Sequence, residues 1–355
     1  MRLHVVGLPH TETTVAYSWC AYTQKVRRFC DMMSARGHQV FLYAGPRNEA
    51  SCSEHVVCVD ELPPAGTIPE FYADAPPFAQ FNQRAIAAIG ERLEARDFVC
   101  LIGGTAQQPI ADAFPAHQVV EFGIGYGGVI ASTHHVFESY AWMHTVLGAL
   151  TGGDSHRADG RFFDAVIPNY YDPAEFPAGD ADGDYLLFIG RLIERKGIQI
   201  ALDAAAVSGL ELIVAGAGDY PLPDWVDHRG VVGPVERAEL MGGARALLSP
   251  TLYVEPFGGV AVEAQLCGTP VVTTDWGAFT ETVEHGVTGF RCRTLAEFTN
   301  AIERAGSLDR DRIREHAIAT WSLDAIGPRY ESYFERLQTL WGDGFYADAL
   351  TTIGA

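Results

Sequence analysis

Lysine is almost absent from this chain: Lys25 and Lys196 are the only two in 355 residues, and every other basic residue is an arginine. Acidic residues outnumber basic ones 45 to 25, a formal charge of −20. Such a surface does not attract nucleic acid or an anionic membrane non-specifically, although one local basic cleft is compatible with that balance. Cysteine is sparse, with seven residues and no Cys-x-x-Cys pair, which argues against a disulfide framework, a zinc ribbon or a redox motif. The odd count favours a reducing compartment. Charged or polar residues interrupt every apolar run short of the roughly 18 residues of a membrane span. The opening MRLHVVGLPHTETT lacks a basic region followed by a long apolar core; it reads as a first strand, and a cytoplasmic location is expected. The Gly-x4-Gly-Lys-Ser/Thr loop, the Gly-x-Ser-x-Gly elbow and His-Glu-x-x-His are missing, as are the basic helices and zinc spacings of DNA readers. No basic amphipathic helix suggests tight membrane attachment.

What is present is an alternation of short apolar runs with helical stretches over a length suited to two domains. Arg2–Leu8, a helix near Thr23–Arg36 and Gln39–Tyr43 form a β-loop-α-β unit. Phe81–Arg96 is read as a helix, Phe98–Ile102 and Gln118–Phe122 as strands, and Phe137–Leu150 as a helix. The alternation restarts with strands at Ala165–Pro168, Tyr185–Ile189, Leu210–Ala215, Ala246–Leu248 and Pro270–Thr273. Helices are expected at Ile198–Ala206, Arg237–Ala244, Val260–Cys267 and Leu295–Ala305. Two parallel α/β sheets follow, with domains expected over 1–165 and 166–327. A last helix near Pro328–Trp341 carries Tyr330, Tyr333, Phe334 and Leu337 on one stripe, so it docks on something.

Two stretches carry chemistry. In LSPTLYVEPFGGVAVEAQ, Glu255 precedes Phe257, Gly258 and Gly259, and Glu263 follows eight positions after Glu255. A glycine pair opening a helix leaves backbone N–H groups free, and with the positive helix end these suit a phosphate. The two carboxylates can accept hydrogen bonds from hydroxyls of a hexose and a ribose; two solvated glutamates satisfy the same spacing. In FIGRLIERKG, Arg191 and Lys196 follow a strand and precede a helix. Two cations at that edge can clamp a diphosphate and neutralise a phosphoryl leaving group, or simply flank a solvated loop. Gly123, Gly125, Gly127 and Gly128 imitate part of the dinucleotide fingerprint without its helix and acidic partner, and read as a flexible or ligand-skirting loop. Ser132–His135 with Glu138 and His144 has no metal-ligand spacing, so no metal is expected; one of the histidines is read as polar cleft lining.

Arg191, Lys196 and the Glu255–Glu263 pair together resemble the retaining glycosyltransferases of the two-Rossmann-domain GT-B architecture, group 1 or family 4 (GT4) type. VIPNYYDPAEF at 166–176, ELIVAGAGD at 211–219, GVVG at 230–233 and CGTPVVTTDWGAFTETVEHGVTGF at 267–290 extend the likeness over roughly 166–340. The N-terminal half resembles the family only through its first β-α-β unit. The resemblance implies two Rossmann-like domains facing across a cleft, with the C-terminal helix of 328–355 crossing back to the N-terminal domain. It implies a nucleotide-diphosphate sugar, UDP- or GDP-linked, as donor and no metal or other cofactor. Arg191 and Lys196 would bind the diphosphate, Glu255 the donor sugar and Glu263 the ribose. Phe257, Gly258 and Gly259 would supply backbone amides, and the loop around Tyr22 or Thr23 would carry acceptor or phosphate contacts. The chain departs from the family at Trp19-Cys20-Ala21-Tyr22, where two glycines are usual. It departs again at Gly103-Gly104-Thr105, where a histidine is common, and at Glu255-Pro256-Phe257-Gly258, where Glu-Gly-Phe-Gly is usual.

The reading is a retaining hexosyltransferase acting on a hydroxyl acceptor, with Arg191, Lys196 and Glu255 as catalytic residues. A nucleotide-sugar hydrolase and a non-catalytic nucleotide-sugar-binding protein are the rivals. The base, the sugar and the acceptor are open, and a homodimer is compatible with the sequence.

Overall fold

The apolar runs become two all-parallel sheets, and the strand order within each decides where a ligand can sit. The computed structural model describes residues 1–64, 69–179 and 183–341. The end of the expected last segment, 342–355, lies outside the described residues, as do 65–68 and 180–182. The chain divides into two compact units. One holds residues 1–138, 146–170 and the chain from Ile326 onward; the other holds Ser139–Thr145 and Tyr171–Ala325.

The first unit contains β1 (Arg2–Val6), β2 (Gln39–Ala44), β3 (Glu54–Val57), β4 (Phe98–Leu101), β5 (Gln118–Ile124), β6 (His134–Phe137) and β7 (Ala165–Val166). They lie in the order β3-β2-β1-β4-β5-β6-β7, each pair parallel. The order reverses between β1 and β4, so the connections leaving those strands diverge and open a crevice at their carboxyl ends. Leu3, Val5, Val99 and Leu101 are fully buried, as continuous apolar strands covered on both faces require. The helix Ala21–Ala35 brings Phe29 against Phe122, ring centroids 4.5 Å apart, and against Tyr330 at 5.1 Å. Tyr330 belongs to the last long helix, Leu323–Gln338, which starts before Pro328 and keeps it inside. Its apolar stripe is buried within this unit: Phe334 meets Phe98 at 4.8 Å, and the Tyr333 hydroxyl donates to the Phe163 carbonyl across 2.8 Å.

The second unit contains β8 (Tyr185–Ile189), β9 (Glu211–Ala215), β10 (Asp227–Gly230), β11 (Ala246–Ser249), β12 (Val271–Thr274) and β13 (Gly289–Cys292). Their order is β10-β9-β8-β11-β12-β13, again all parallel. This is the Rossmann order, reversing at β8 and β11.

One reading is corrected: the helix expected over Phe137–Leu150 starts only at Tyr140, because His134–Phe137 is strand β6. A buried histidine is accommodated on that strand because His135 Nε2 donates to the Ile130 carbonyl and Nδ1 meets Asp164 Oδ2, both at 2.8 Å. The structure also adds strands β3, β10 and β13 and the helix Arg310–Trp321. Strand β10, Asp-His-Arg-Gly, has no apolar pattern to read.

Candidate active site

The site is built by backbone contacts between the loops that leave β8, β9 and β11 at the point of strand reversal. Gly190 N donates to the Ala215 carbonyl across 3.0 Å, Leu192 N to Ala217 across 2.8 Å, and Leu252 N to Arg195 across 2.9 Å. The approach is close enough to require glycine: a Cβ on Gly216 would lie 1.8 Å from the Gly190 carbonyl oxygen, and one on Gly197 would lie 2.0 Å from that of Pro250.

Within this frame Lys196 and Glu255 meet. Lys196 Nζ donates to Glu255 Oε2 across 2.8 Å, and both side chains are mostly buried. Burial opposes the ammonium, but the carboxylate and Tyr253 outweigh it, so the Lys196 pKa is raised and the lysine stays charged. Tyr253, which the sequence did not single out, lies under both cations of the loop: Lys196 Nζ is 4.9 Å and the Arg195 guanidinium 5.0 Å from its ring centre. Arg191 is exposed, and its side chain has no hydrogen-bond or ion-pair partner among the described residues. That leaves its guanidinium available to a ligand.

Phe257, Gly258 and Gly259 lead into the helix Gly259–Leu266. The Phe257 side chain turns into the core, 2% exposed and edge-on to Trp321 at 5.6 Å. That anchor fixes the turn, and the amides of Phe257, Gly258 and Gly259 donate to no atom of the described residues. Gly258 has φ +76, and a Cβ there would lie 2.5 Å from the Phe279 ring. The loop is held from two further sides. Ser139 Oγ donates to the Pro256 carbonyl across 2.6 Å, and Ala278 N donates to the Glu255 carbonyl across 3.0 Å. Glu263 sits one turn into the helix with Arg237 Nε 3.6 Å from its Oε2, and neither atom has a hydrogen-bond partner among the described residues. Arg237, on the helix Pro234–Gly243, carried no signal in the sequence. Among the described residues no group of three or more His, Cys, Asp or Glu side chains is placed to hold a metal ion.

Residues 183–307 match the family model of the group 1 glycosyl transferases. The phosphatidyl-myo-inositol mannosyltransferase of Mycobacterium leprae is 26% identical over 329 residues, 83% of this chain and 85% of that protein. The D-inositol 3-phosphate glycosyltransferase of Frankia alni is 32% identical over 236 residues, 58% of this chain and 56% of that one. The chain is a glycosyltransferase, similar over residues 183–307 to the group 1 family. Among solved structures, Anabaena HepE in complex with UDP-glucose superposes with a TM-score of 0.62 at 16% identity, over 96% of this glycosyltransferase and 100% of that chain. Likeness at that identity establishes the GT-B fold.

The first unit of the glycosyltransferase ties up several residues expected near an acceptor. Thr23 Oγ1 and Thr11 Oγ1 are 2.6 Å apart and buried, and Tyr22 reaches the Gly125 carbonyl at 3.4 Å. The glycine loop after β5 wraps the ion pair of Lys25 and Glu138, with Lys25 also donating to the Gly123 carbonyl across 3.1 Å. A Cβ on Gly125 would fall 2.7 Å from the Glu138 carboxylate. His134 and His135 are engaged by Gln118 and Asp164. No helix of the described residues is long and apolar enough to cross a membrane.

Proposed function

We propose that this glycosyltransferase moves a hexose from a UDP- or GDP-linked sugar to a hydroxyl acceptor, with retention at the anomeric carbon, without a metal ion and in the cytoplasm. The observation that carries the reading is the meeting, at one strand reversal, of a free arginine, a lysine–glutamate pair and three undonated amides at a helix start. Arg191, Lys196 and those amides neutralise the diphosphate as its bond to the sugar breaks. Glu255, its charge balanced by Lys196, retains acceptor capacity for a sugar hydroxyl. Glu263, 3.6 Å from Arg237, accepts from the ribose.

The acceptor oxygen forms its bond to the anomeric carbon on the face the phosphate leaves, and its proton passes to the departing phosphate oxygen. No side chain is assigned as nucleophile: the carboxylate of Glu255 is engaged by Lys196, and Glu263 lies inside the helix. A covalent glycosyl-enzyme trapped during turnover would refute this path. HepE, a structural neighbour, was solved with UDP-glucose bound, which supports a nucleotide-sugar donor here.

Calorimetric titration of UDP, GDP, ADP and dTDP, first without metal and then with magnesium, tests the donor site. One diphosphate is expected to bind preferentially without metal, and Arg191→Ala and Glu263→Ala are each expected to weaken it. Binding that requires magnesium, or that both variants leave intact, would overturn the assignment.

A further inference from the structure

The loop that leaves β8 carries three cations, Arg191, Arg195 and Lys196, and the donor chemistry above employs only the first and the last. Their charges are not equally compensated. Lys196 is paired with Glu255 across 2.8 Å, so the two together bring no net charge. Arg195 is exposed and pairs with no carboxylate among the described residues; Glu194 beside it forms no ion pair there either. Arg191 and Arg195 are thus two uncompensated guanidiniums on one loop.

A nucleotide-diphosphate sugar brings one negative charge on each of its two phosphoryl groups. Arg191 balances one of them, and the start of the helix Gly259–Leu266 adds roughly half a charge. Without a metal ion the remainder falls to another side chain, because an anion taken out of water and left unpaired is costly.

Arg195 is held ready beside the Lys196–Glu255 pair. Its guanidinium carbon lies 5.0 Å from the centre of the Tyr253 ring, the same ring that Lys196 Nζ approaches to 4.9 Å. Tyr253 is half-buried and stands two positions before Glu255. The two loops that carry these residues are fastened together. Leu252 N donates to the Arg195 carbonyl across 2.9 Å, and Gly197 N to that of Glu194 across 2.8 Å. An exposed arginine ordinarily gives up rotamer freedom when it closes on a ligand; contact with an aromatic face restrains this one beforehand. Two like charges on one ring repel each other, and an anion bound between them relieves that repulsion.

We propose that Arg195 is a third cation of the donor site, binding the diphosphate together with Arg191, and that Tyr253 is the residue that positions it. This rests on the transferase reading above and adds two residues to its donor site.

Calorimetric titration of UDP and GDP against the full chain, repeated at several sodium chloride concentrations, tests it. Arg195→Gln should weaken the preferred diphosphate about tenfold, the size of one charge-assisted hydrogen bond, and should flatten the salt dependence, since one cation fewer faces the ligand. Tyr253→Leu should weaken binding about threefold, the size of one exposed cation–π contact, whereas Tyr253→Phe keeps the ring and should bind as wild type does. Arg195 is exposed, so an unchanged melting temperature in Arg195→Gln is expected. Wild-type affinity and salt dependence in Arg195→Gln, with Arg191→Ala still weakening binding, would overturn the proposal and leave the donor reading standing. Binding by Tyr253→Phe as weak as that of Tyr253→Leu would assign the effect to the hydroxyl and overturn the role given to the ring. If the wild-type chain binds neither UDP nor GDP, the donor reading falls and this proposal with it.

Discussion

Lys196 and Glu255, 59 positions apart, form a mostly buried ion pair in which the ammonium donates to Glu255 Oε2 across 2.8 Å. The sequence marked both as ligand-facing groups, one for phosphate and one for sugar. Their pairing makes them a unit: the carboxylate keeps the ammonium charged and the contact orients both side chains before any substrate arrives, the arrangement electrostatic preorganisation calls for.

Such a unit has a measurable coupling. Lys196→Ala and Glu255→Ala should each destabilise the protein, and the double variant should lose less than the two losses combined. The coupling expected from urea unfolding is roughly 1–3 kcal/mol. Additive losses would mean that the contact contributes nothing.

Glycine at 258 is required by the fold itself. Gly258→Ala forces a side chain into φ +76 and onto Phe279 at 2.5 Å. Gly286→Ala, at φ +81 with no atom within 4 Å of the new Cβ, is strained but unobstructed. The left-handed conformation alone costs about 1–2 kcal/mol, so the expected order of melting temperatures is wild type, then Gly286→Ala, then Gly258→Ala. Equal losses would show that Phe279 yields at no cost.

The Lys25–Glu138 pair lies inside the first unit, with side chains 9% and 4% exposed. Lys25→Met strands a buried carboxylate and should cost about 3–5 kcal/mol. Adding Glu138→Gln removes that stranded charge, so the double variant should regain part of the loss in urea unfolding. No recovery would indicate that Lys25 matters for packing alone.

Stability should fall as the solution is acidified through the histidine range. Burial lowers His10 and His134 from 6.5 to about 4. Between those values the unfolded chain binds protons that the folded chain does not, so each histidine's contribution is complete above pH 6.5 and shrinks toward pH 4. Lowering the pH by one unit within that window removes at most about 1.4 kcal/mol per histidine. In urea titrations across this range, His10→Gln should flatten the slope; a slope unchanged from wild type would contradict the burial argument.

The parallel α/β architecture and the candidate loop of Glu255 to Glu263 were legible in the sequence, because both are written in contiguous residues. Apolar runs such as Tyr185–Ile189 bury both faces and need no partner to be recognised. The spacing of Glu255, Gly258, Gly259 and Glu263 reflects one loop and one helix. Which groups face one another became visible only in the folded chain. Arg237 reaches Glu263 from another helix, Ser139 holds Pro256 from across 117 positions, and His135 occupies a buried strand position because Asp164 satisfies it. Likewise His10, Trp19 and Phe71 come together through chain folding over 61 positions, from His10 to Phe71. Ion pairs, hydrogen bonds and ring contacts are set by distance in space, and nothing in a local pattern of residue types records which distant segment will supply the partner.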